Sequence, residues 1–179
     1  MDEQGSLNRA INEEIELSEY DPLWPMRFEE ERDRLLSLFP DEFMAIEHFG
    51  STAVPGLSGK PIIDILAGVE SISRADALID PMCRSKYITS AEFNATLKDR
   101  RWLMRWANGR RTHHLHIVVY RGPEWWARLA FRDALRSDPH LAARYEQRKK
   151  QLAKEFSDDR EAYTEAKTEF VREVIGRAT

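Results

Sequence analysis

The segment EHFGSTAVPGLSGKPIIDIL combines residue types that hold phosphate and metal ions in proteins. A Gly-Ser step between a strand and a helical turn, here Gly50-Ser51, leaves backbone N–H groups able to bind an anion, together with the hydroxyls of Ser51 and Thr52. Lys60 would add a positive charge, and Asp64 lies in an apolar run, where an unpaired carboxylate is costly. The segment therefore predicts a phosphate site. The alternative is a tight turn that leads into a core strand, with Asp64 in a salt bridge.

Histidines form a second set of candidates. The segment HHLHIVV places His114 and His116 two residues apart, so both face one side of a strand. His48 precedes the Gly-Ser turn and is a candidate to join them. One carboxylate with two imidazoles suits zinc, and suits magnesium poorly because magnesium prefers oxygen ligands. The candidate ligands of a divalent metal, zinc or magnesium, are thus Asp64, His48, His114 and His116. The alternative is that the histidines only hydrogen-bond Asp64.

Basic residues recur at helical spacing near the C-terminus. Arg132 and Arg136 lie four residues apart, and such a pair can grip a phosphate or carboxylate. Arg160, Tyr163 and Lys167 also share one helical face. We therefore include Arg132, Arg136 and Lys167 among the candidate phosphate ligands. The competing interpretation is a solvated helix face, or ion pairs between helices.

The elements that must position these residues follow from the periodicity. Trp24, Phe28, Leu35 and Phe39 have helical spacing. A helix capped by Ser73 is predicted next, then a hairpin around Asn108-Gly109, and everything after Pro123 has the pattern of about three helices. Apolar runs predict the strands of a mixed sheet, near residues 43–49, 61–69, 100–107 and 112–120.

Composition narrows the class of protein. The chain has 179 residues, 42% of them hydrophobic and 32% charged, which fits one globular domain. The sequence has no apolar run of about 18 residues, no signal-peptide pattern and a single cysteine, so we expect a cytoplasmic protein without a membrane partner. Residues 84–111 are basic, and they either attract a phosphate-rich partner or pair with the acidic N-terminal region. The net charge of −4 argues against binding of duplex nucleic acid.

The Gly-Ser turn followed by an acidic apolar strand resembles the signature of the nucleotidyltransferase superfamily. That signature carries two carboxylates one residue apart, and only Asp64 is present here. If Asp64 is the second carboxylate, Ile62 replaces the first; if it is the first, Leu66 replaces the second. The resemblance makes Asp64 a catalytic candidate, with His116 or His114 in the place of a third carboxylate on a neighbouring strand. A two-metal site cannot be built from this strand alone.

A wider set of motifs resembles the GrpB family: YDPLWPMRFEEER, HFGSTAVPGLSGKPIIDIL, HHLHIVV, FRDALRSDP, YEQRKKQLA and DREAYTEAKTEFV. The family, also found as a domain fused to dephospho-coenzyme-A kinase, implies an α/β (α+β) fold of nucleotidyltransferase type and a link to nucleotides or coenzyme-A chemistry. We predict one such domain over residues 18–177, after a flexible N-terminal extension over residues 1–17. The expected ligand is a nucleotide or other phosphate-bearing small molecule. The expected role is transfer of a nucleotidyl or phosphoryl group, or non-catalytic binding of a nucleotide or coenzyme-A precursor as an accessory module.

Overall fold

The computed structural model describes Gly5, residues 17–157 and residues 159–177, with the side chains of Arg160, Glu161 and Arg177 excepted. Its centre is a mixed sheet of five strands in the order β1-β2-β5-β4-β3. Only the β2–β5 pair is parallel; its neighbours are antiparallel. The strands are β1 Ala45–Phe49, β2 Ile63–Val69, β3 Tyr87–Ile88, β4 Arg100–Ala107 and β5 Arg110–Val119.

Six helices flank the sheet within the described residues. They are α1 Trp24–Leu38, α2 Ile72–Arg84, α3 Ala91–Thr96, α4 Pro123–Ser137, α5 Pro139–Glu155 and α6 Arg160–Arg177. A single 3₁₀ turn, Ser51–Ala53, follows β1. Among the described helices, none is both long and apolar enough to cross a bilayer.

Alternation along β2 divides the molecule into two layers. Ile63, Ile65, Ala67 and Val69 face α1 and α2 and form the larger core with residues of those helices. The opposite face of the sheet packs on α4 through a smaller cluster that includes Leu66 and Trp125. Asp64 shares this second face because it alternates with the core residues. The carboxylate therefore lies between the sheet and the C-terminal helices.

The predicted architecture is confirmed. The four predicted strands and three C-terminal helices are present, and Asn108-Gly109 forms a two-residue hairpin turn with φ of 51° and 74°. The predicted cap of α2 was wrong by two residues, because the hydroxyl of Ser71, not Ser73, accepts from the Arg74 amide. Strand β3 and helix α3 were not predicted, since each is too short to show periodicity. Most of the predicted extension over residues 1–17 lies outside the described residues.

One buried carboxylate links helix α1 to strands β3 and β4. Glu31 of α1 is 3% exposed and accepts hydrogen bonds from Arg34, from Arg105 of β4 and, at 2.7 Å, from the Tyr87 hydroxyl of β3. Burial acts to raise the pKa of Glu31, but bonds from Arg34 and Tyr87 with the charges of His113 and Arg105 prevail and lower it. Glu31 is therefore ionised, and part of the basic hairpin pairs with the acidic N-terminal region.

We predict that Glu31→Gln lowers the free energy of unfolding by about 3–5 kcal/mol, because it leaves two guanidinium groups beside a neutral buried amide. Urea unfolding followed by circular dichroism measures this. The matched control is Glu29→Gln on the exposed side of the same helix, which should change stability by less than about 0.5 kcal/mol. Equal effects for the two variants would contradict the assigned role of Glu31.

Candidate functional site

Asp64 and His114 face each other across the parallel β2–β5 pair. Nδ1 of His114 lies 3.1 Å from Oδ1 of Asp64, and Nε2 of His114 lies 3.4 Å from a guanidinium nitrogen of Arg111. A guanidinium only donates, so Nε2 accepts and the proton belongs on Nδ1, which donates to Asp64. The carboxylate is thus hydrogen-bonded to an imidazole, as the alternative interpretation of the sequence expected.

His116 completes a cluster with these two side chains. Candidate ligand atoms of Asp64, His114 and His116 all lie within 4.8 Å of one another. Nδ1 of His116 is buried and has no hydrogen-bond partner in the described part of the chain. Burial, helped by the nearby charges of Arg128 and Arg100, holds the pKa of His116 well below its ordinary value. The imidazole is neutral, which is the form that ligates metals.

Gly50 allows the Gly-Ser turn to lie directly against Asp64. Its φ of 74° and ψ of −172° belong to a region that is almost restricted to glycine. A Cβ on Gly50 would lie 2.5 Å from Oδ2 of Asp64. The turn and the carboxylate are therefore in contact.

One lysine contacts the Ser51 hydroxyl of this turn, and two others lie over the ring of Tyr163. Lys149 of α5, only 2% exposed, donates to the Ser51 hydroxyl at 2.9 Å and to the carbonyl of Ser58. The ammonium groups of Lys60 and Lys167 lie 5.0 and 4.7 Å from the ring centre of buried Tyr163. We call Lys60, Lys149 and Lys167 the lysine cluster.

The charge state of Lys149 is set by its surroundings. Burial, with the like charge of Lys167, lowers the pKa of Lys149 to about 7, against the opposing attraction of Glu146. Like charges gather at a cost that a bound anion would relieve. The sequence motifs did not single out Lys149 as a site residue. The signal was its position in the YEQRKKQLA motif, where it follows Tyr145 by one helical turn and lies 4.9 Å over that ring.

His48 is not part of the cluster. It lies opposite Ile65 in the β1–β2 register and stacks on Phe28 of α1, with ring centres 4.8 Å apart. Its Nε2 lies 2.9 Å from the Thr52 hydroxyl. Burial lowers the pKa of His48 to about 4, although Asp64 acts to raise it. The predicted ligand set that included His48 needs correction, because strand alternation turns this ring to the face of the sheet opposite Asp64.

Arg132 and Arg136 bind the protein itself. Arg132 donates to Glu47 at 2.8 Å, to Asp133 and to the carbonyl of His48. Arg136 donates to the carbonyl of Ala53 at 2.8 Å and so holds the 3₁₀ turn against α4. These contacts position the Gly-Ser turn. The sequence suggested a solvated helix face or ion pairs between helices, and neither describes these contacts. Apart from Asp133, the partners of the two arginines lie on β1 and on the 3₁₀ turn that follows it.

A groove of about 460 Å³ runs beside the loop that follows the 3₁₀ turn. Its walls are Val54, Leu57, Leu135 and other residues of α4 and α5, with Arg136 and Glu146 as charged members. The Asp64 cluster is not among its lining residues. The groove therefore adds no group to the candidate chemistry.

We predict that Gly50→Ala destabilises the protein more than Gly56→Ala does. Both glycines have positive φ, worth about 1–2 kcal/mol against alanine, but nothing lies within 4 Å of a Cβ at Gly56. The contact with Asp64 should add at least about 1 kcal/mol, of the size of an overpacked site. Urea unfolding of both variants measures the difference, and equal losses would contradict the close approach.

Comparison with known proteins relates this chain to one protein family. The family model described as GrpB protein matches residues 14–177. The crystal structure of conserved protein GrpB from Enterococcus faecalis superposes with a TM-score of 0.78 and 36% identity, covering 91% of this chain and 99% of that one. The glutamate-rich protein GrpB of Alkalihalophilus pseudofirmus is 32% identical over 90% of this chain and 94% of its own length.

Longer relatives also match. The UPF0157 protein YqkA of Bacillus subtilis is 35% identical over 88% of this chain, and the chain spans 45% of its length. A dephospho-CoA kinase of Mycolicibacterium paratuberculosis is 28% identical over 88% of this chain and 44% of its own length. The family match, the close structural neighbour and the curated relatives agree with the resemblance in the sequence motifs: the chain belongs to the GrpB family.

Proposed function

We propose that this protein binds a nucleotide or another phosphate-bearing small molecule at the Gly50-Ser51-Thr52 turn. The observation that carries the proposal is the lysine cluster, in which a buried ammonium donates to the Ser51 hydroxyl while Lys167 acts on it as a like charge. Clustered cations beside a glycine-containing turn attract oxyanions. Lys60 keeps the role expected from the sequence, whereas Arg132 and Arg136 support the turn.

Asp64 and His116 would hold a divalent metal beside the phosphates. His114 would join them once its proton moves from Nδ1 to Nε2, which exchanges its bonds to Asp64 and Arg111 for the metal. The unpartnered buried Nδ1 of His116 and the donor set of one carboxylate and two imidazoles fit zinc better than magnesium. A metal there supplies a Lewis-acid charge to a phosphoryl oxygen. Asp64 orients His114, and with His116 it is the group placed to act in a nucleotidyl or phosphoryl transfer.

Non-catalytic binding is the second candidate. Ile62 and Leu66, the two positions at which the superfamily signature would carry its other carboxylate, are aliphatic and buried. A single carboxylate fits a module that senses a nucleotide or a coenzyme-A precursor. The dephospho-CoA kinase named above, which contains a related segment, is consistent with such an accessory role. The cytoplasm suits either function, because both use intracellular metabolites.

Lys149→Met should weaken binding of a nucleoside triphosphate at pH 7 by at least about tenfold, because a charge-assisted contact is worth roughly 1.5–3 kcal/mol. Only the ammonium form attracts the anion, so affinity for the unaltered protein should fall as pH rises above the free-protein pKa of about 7. Isothermal titration calorimetry at pH 7 measures the effect of the substitution, and titrations between pH 7.5 and 9, where the phosphates are fully ionised, measure the pH dependence.

The neighbouring Lys150 has a side chain that is 56% exposed and pairs with Glu146. Lys150→Met therefore serves as the control and should bind nearly normally. If triphosphate fails to bind the unaltered protein, or if Lys149→Met binds it as well as that protein does, the proposed phosphate site is wrong.

Asp64→Asn should lower zinc affinity by at least about tenfold, since the amide removes the charge of one of three ligands. Its fold should persist, because asparagine keeps the shape of the side chain. His48→Gln is the control: it should bind zinc normally, as His48 faces the other side of the sheet. Competition with a chromogenic chelator measures the affinities. If triphosphate binding needs no metal and is unchanged in Asp64→Asn, the non-catalytic function is favoured.

A further inference from the structure

A second group of cations lies beside His116, on elements that do not form the lysine cluster. Arg100 of β4 pairs with Val118 of β5, two residues along each strand from the Trp102–His116 pair. Because side chains alternate along a strand, that of Arg100 lies on the same face of the sheet as those of Trp102 and His116. Arg128 of α4 approaches the same place from above: its guanidinium lies 5.4 Å from the Phe49 ring centre, and that ring meets His116 edge-on at 5.1 Å.

The charges of this group are not balanced. The guanidinium of Arg128 donates to the carboxylate of Glu124 at 2.7 Å. Arg100 is partly buried, and within the described residues its guanidinium makes no hydrogen bond or ion pair. Two guanidinium groups and one glutamate carboxylate, which pairs with Arg128, therefore lie near a neutral imidazole. A partly buried guanidinium without a partner is costly, because its five N–H donors have lost much of their water.

Burial and the charge of Arg128 lower the pKa of Arg100 to about 10, with Glu124 opposing. The unpartnered Nδ1 of His116 is on the same face. A neutral imidazole can ligate a metal through one ring nitrogen and donate through the other.

We propose that Arg100 and Arg128 form a second oxyanion site, which takes a carboxylate or phosphate group of a small molecule across the Asp64 cluster from the lysine cluster. Guanidinium forks bind such groups with two parallel hydrogen bonds. The side chains of Phe49 and Trp102 provide an apolar wall. In an enzyme this is where the anionic group of an acceptor would lie; in a binding module it fixes the second end of the ligand.

Trp102 supplies a local probe, since its ring lies 5.5 Å from His114 and its backbone pairs with His116. The experiment titrates ¹⁵N-labelled full-length protein with inorganic phosphate and, separately, with malonate at constant ionic strength, and follows the indole N–H signal of Trp102, assigned with Trp102→Phe. We expect at least one of the two anions to shift this signal saturably. The anion that does so identifies the group as phosphate or carboxylate.

Lys149→Met should leave this titration unchanged, and Arg100→Gln should weaken it at least fivefold. Arg128→Gln provides an independent variant if Arg100→Gln does not fold. The proposal is overturned if neither anion shifts the Trp102 signal, or if folded Arg100→Gln or Arg128→Gln titrates like the unaltered protein. A Lys149→Met protein that keeps the Trp102 response but loses triphosphate binding would support two separate sites, whereas loss of both would reduce them to one.

Discussion

The carboxylate of Asp64 sits on a strand whose other side chains are buried, and its position depends on two neighbours. His114, across the parallel β2–β5 pair, donates a hydrogen bond to it, and Gly50 leaves the space that its second oxygen occupies. A charged group in a sheet needs such partners because burial removes its water. The Gly-Ser turn, the histidines and the lysine cluster are arranged around this one group.

The two faces of the sheet differ in how their polar and charged side chains are paired. On the α1 and α2 face, Glu31 is held by two arginines and a tyrosine, and His48 by Thr52 and Phe28. The buried indole nitrogen of Trp24 on that face has no partner among the described residues. On the α4 face, Lys149 and Lys167 interact as like charges, and Nδ1 of buried His116 has no partner among the described residues. Like charges that lie together attract an anion, so the proposed phosphate site lies on this face.

The C-terminal helices bring most of that charge. Arg132 and Arg136 of α4 fasten β1 and the 3₁₀ turn through backbone carbonyls, and this fixes the Gly-Ser turn relative to the sheet. Lys149 and Lys167 then approach the turn from α5 and α6. Arg132 and Arg136 therefore position the turn, whereas Lys149 and Lys167 are left for the proposed phosphate binding, although all four residues are basic and lie on the C-terminal helices.

Local sequence patterns were enough to predict the main strands, the hairpin and the faces of the β5 histidines. Apolar runs identified the main strands, Asn108-Gly109 identified the hairpin, and the spacing of His114 and His116 placed both on one face, since strand alternation is a local property. The motifs also identified the family. The cluster of Asp64 with these histidines could be anticipated for the same reason, because a carboxylate inside an apolar strand requires polar neighbours.

Tertiary structure alone decided which cations meet the turn and which face each histidine joins. Periodicity describes one helix at a time. It could not show that Arg132 would bind Glu47 and the carbonyl of His48, or that Lys149, 98 residues from Ser51, would contact the Ser51 hydroxyl. His48 was assigned to the wrong face because the register of β1 against β2 is set by the packing of Phe28 and Ile65 in the core. Contacts between residues distant in the chain depend on how whole elements pack, and that packing follows from the combined burial of both layers.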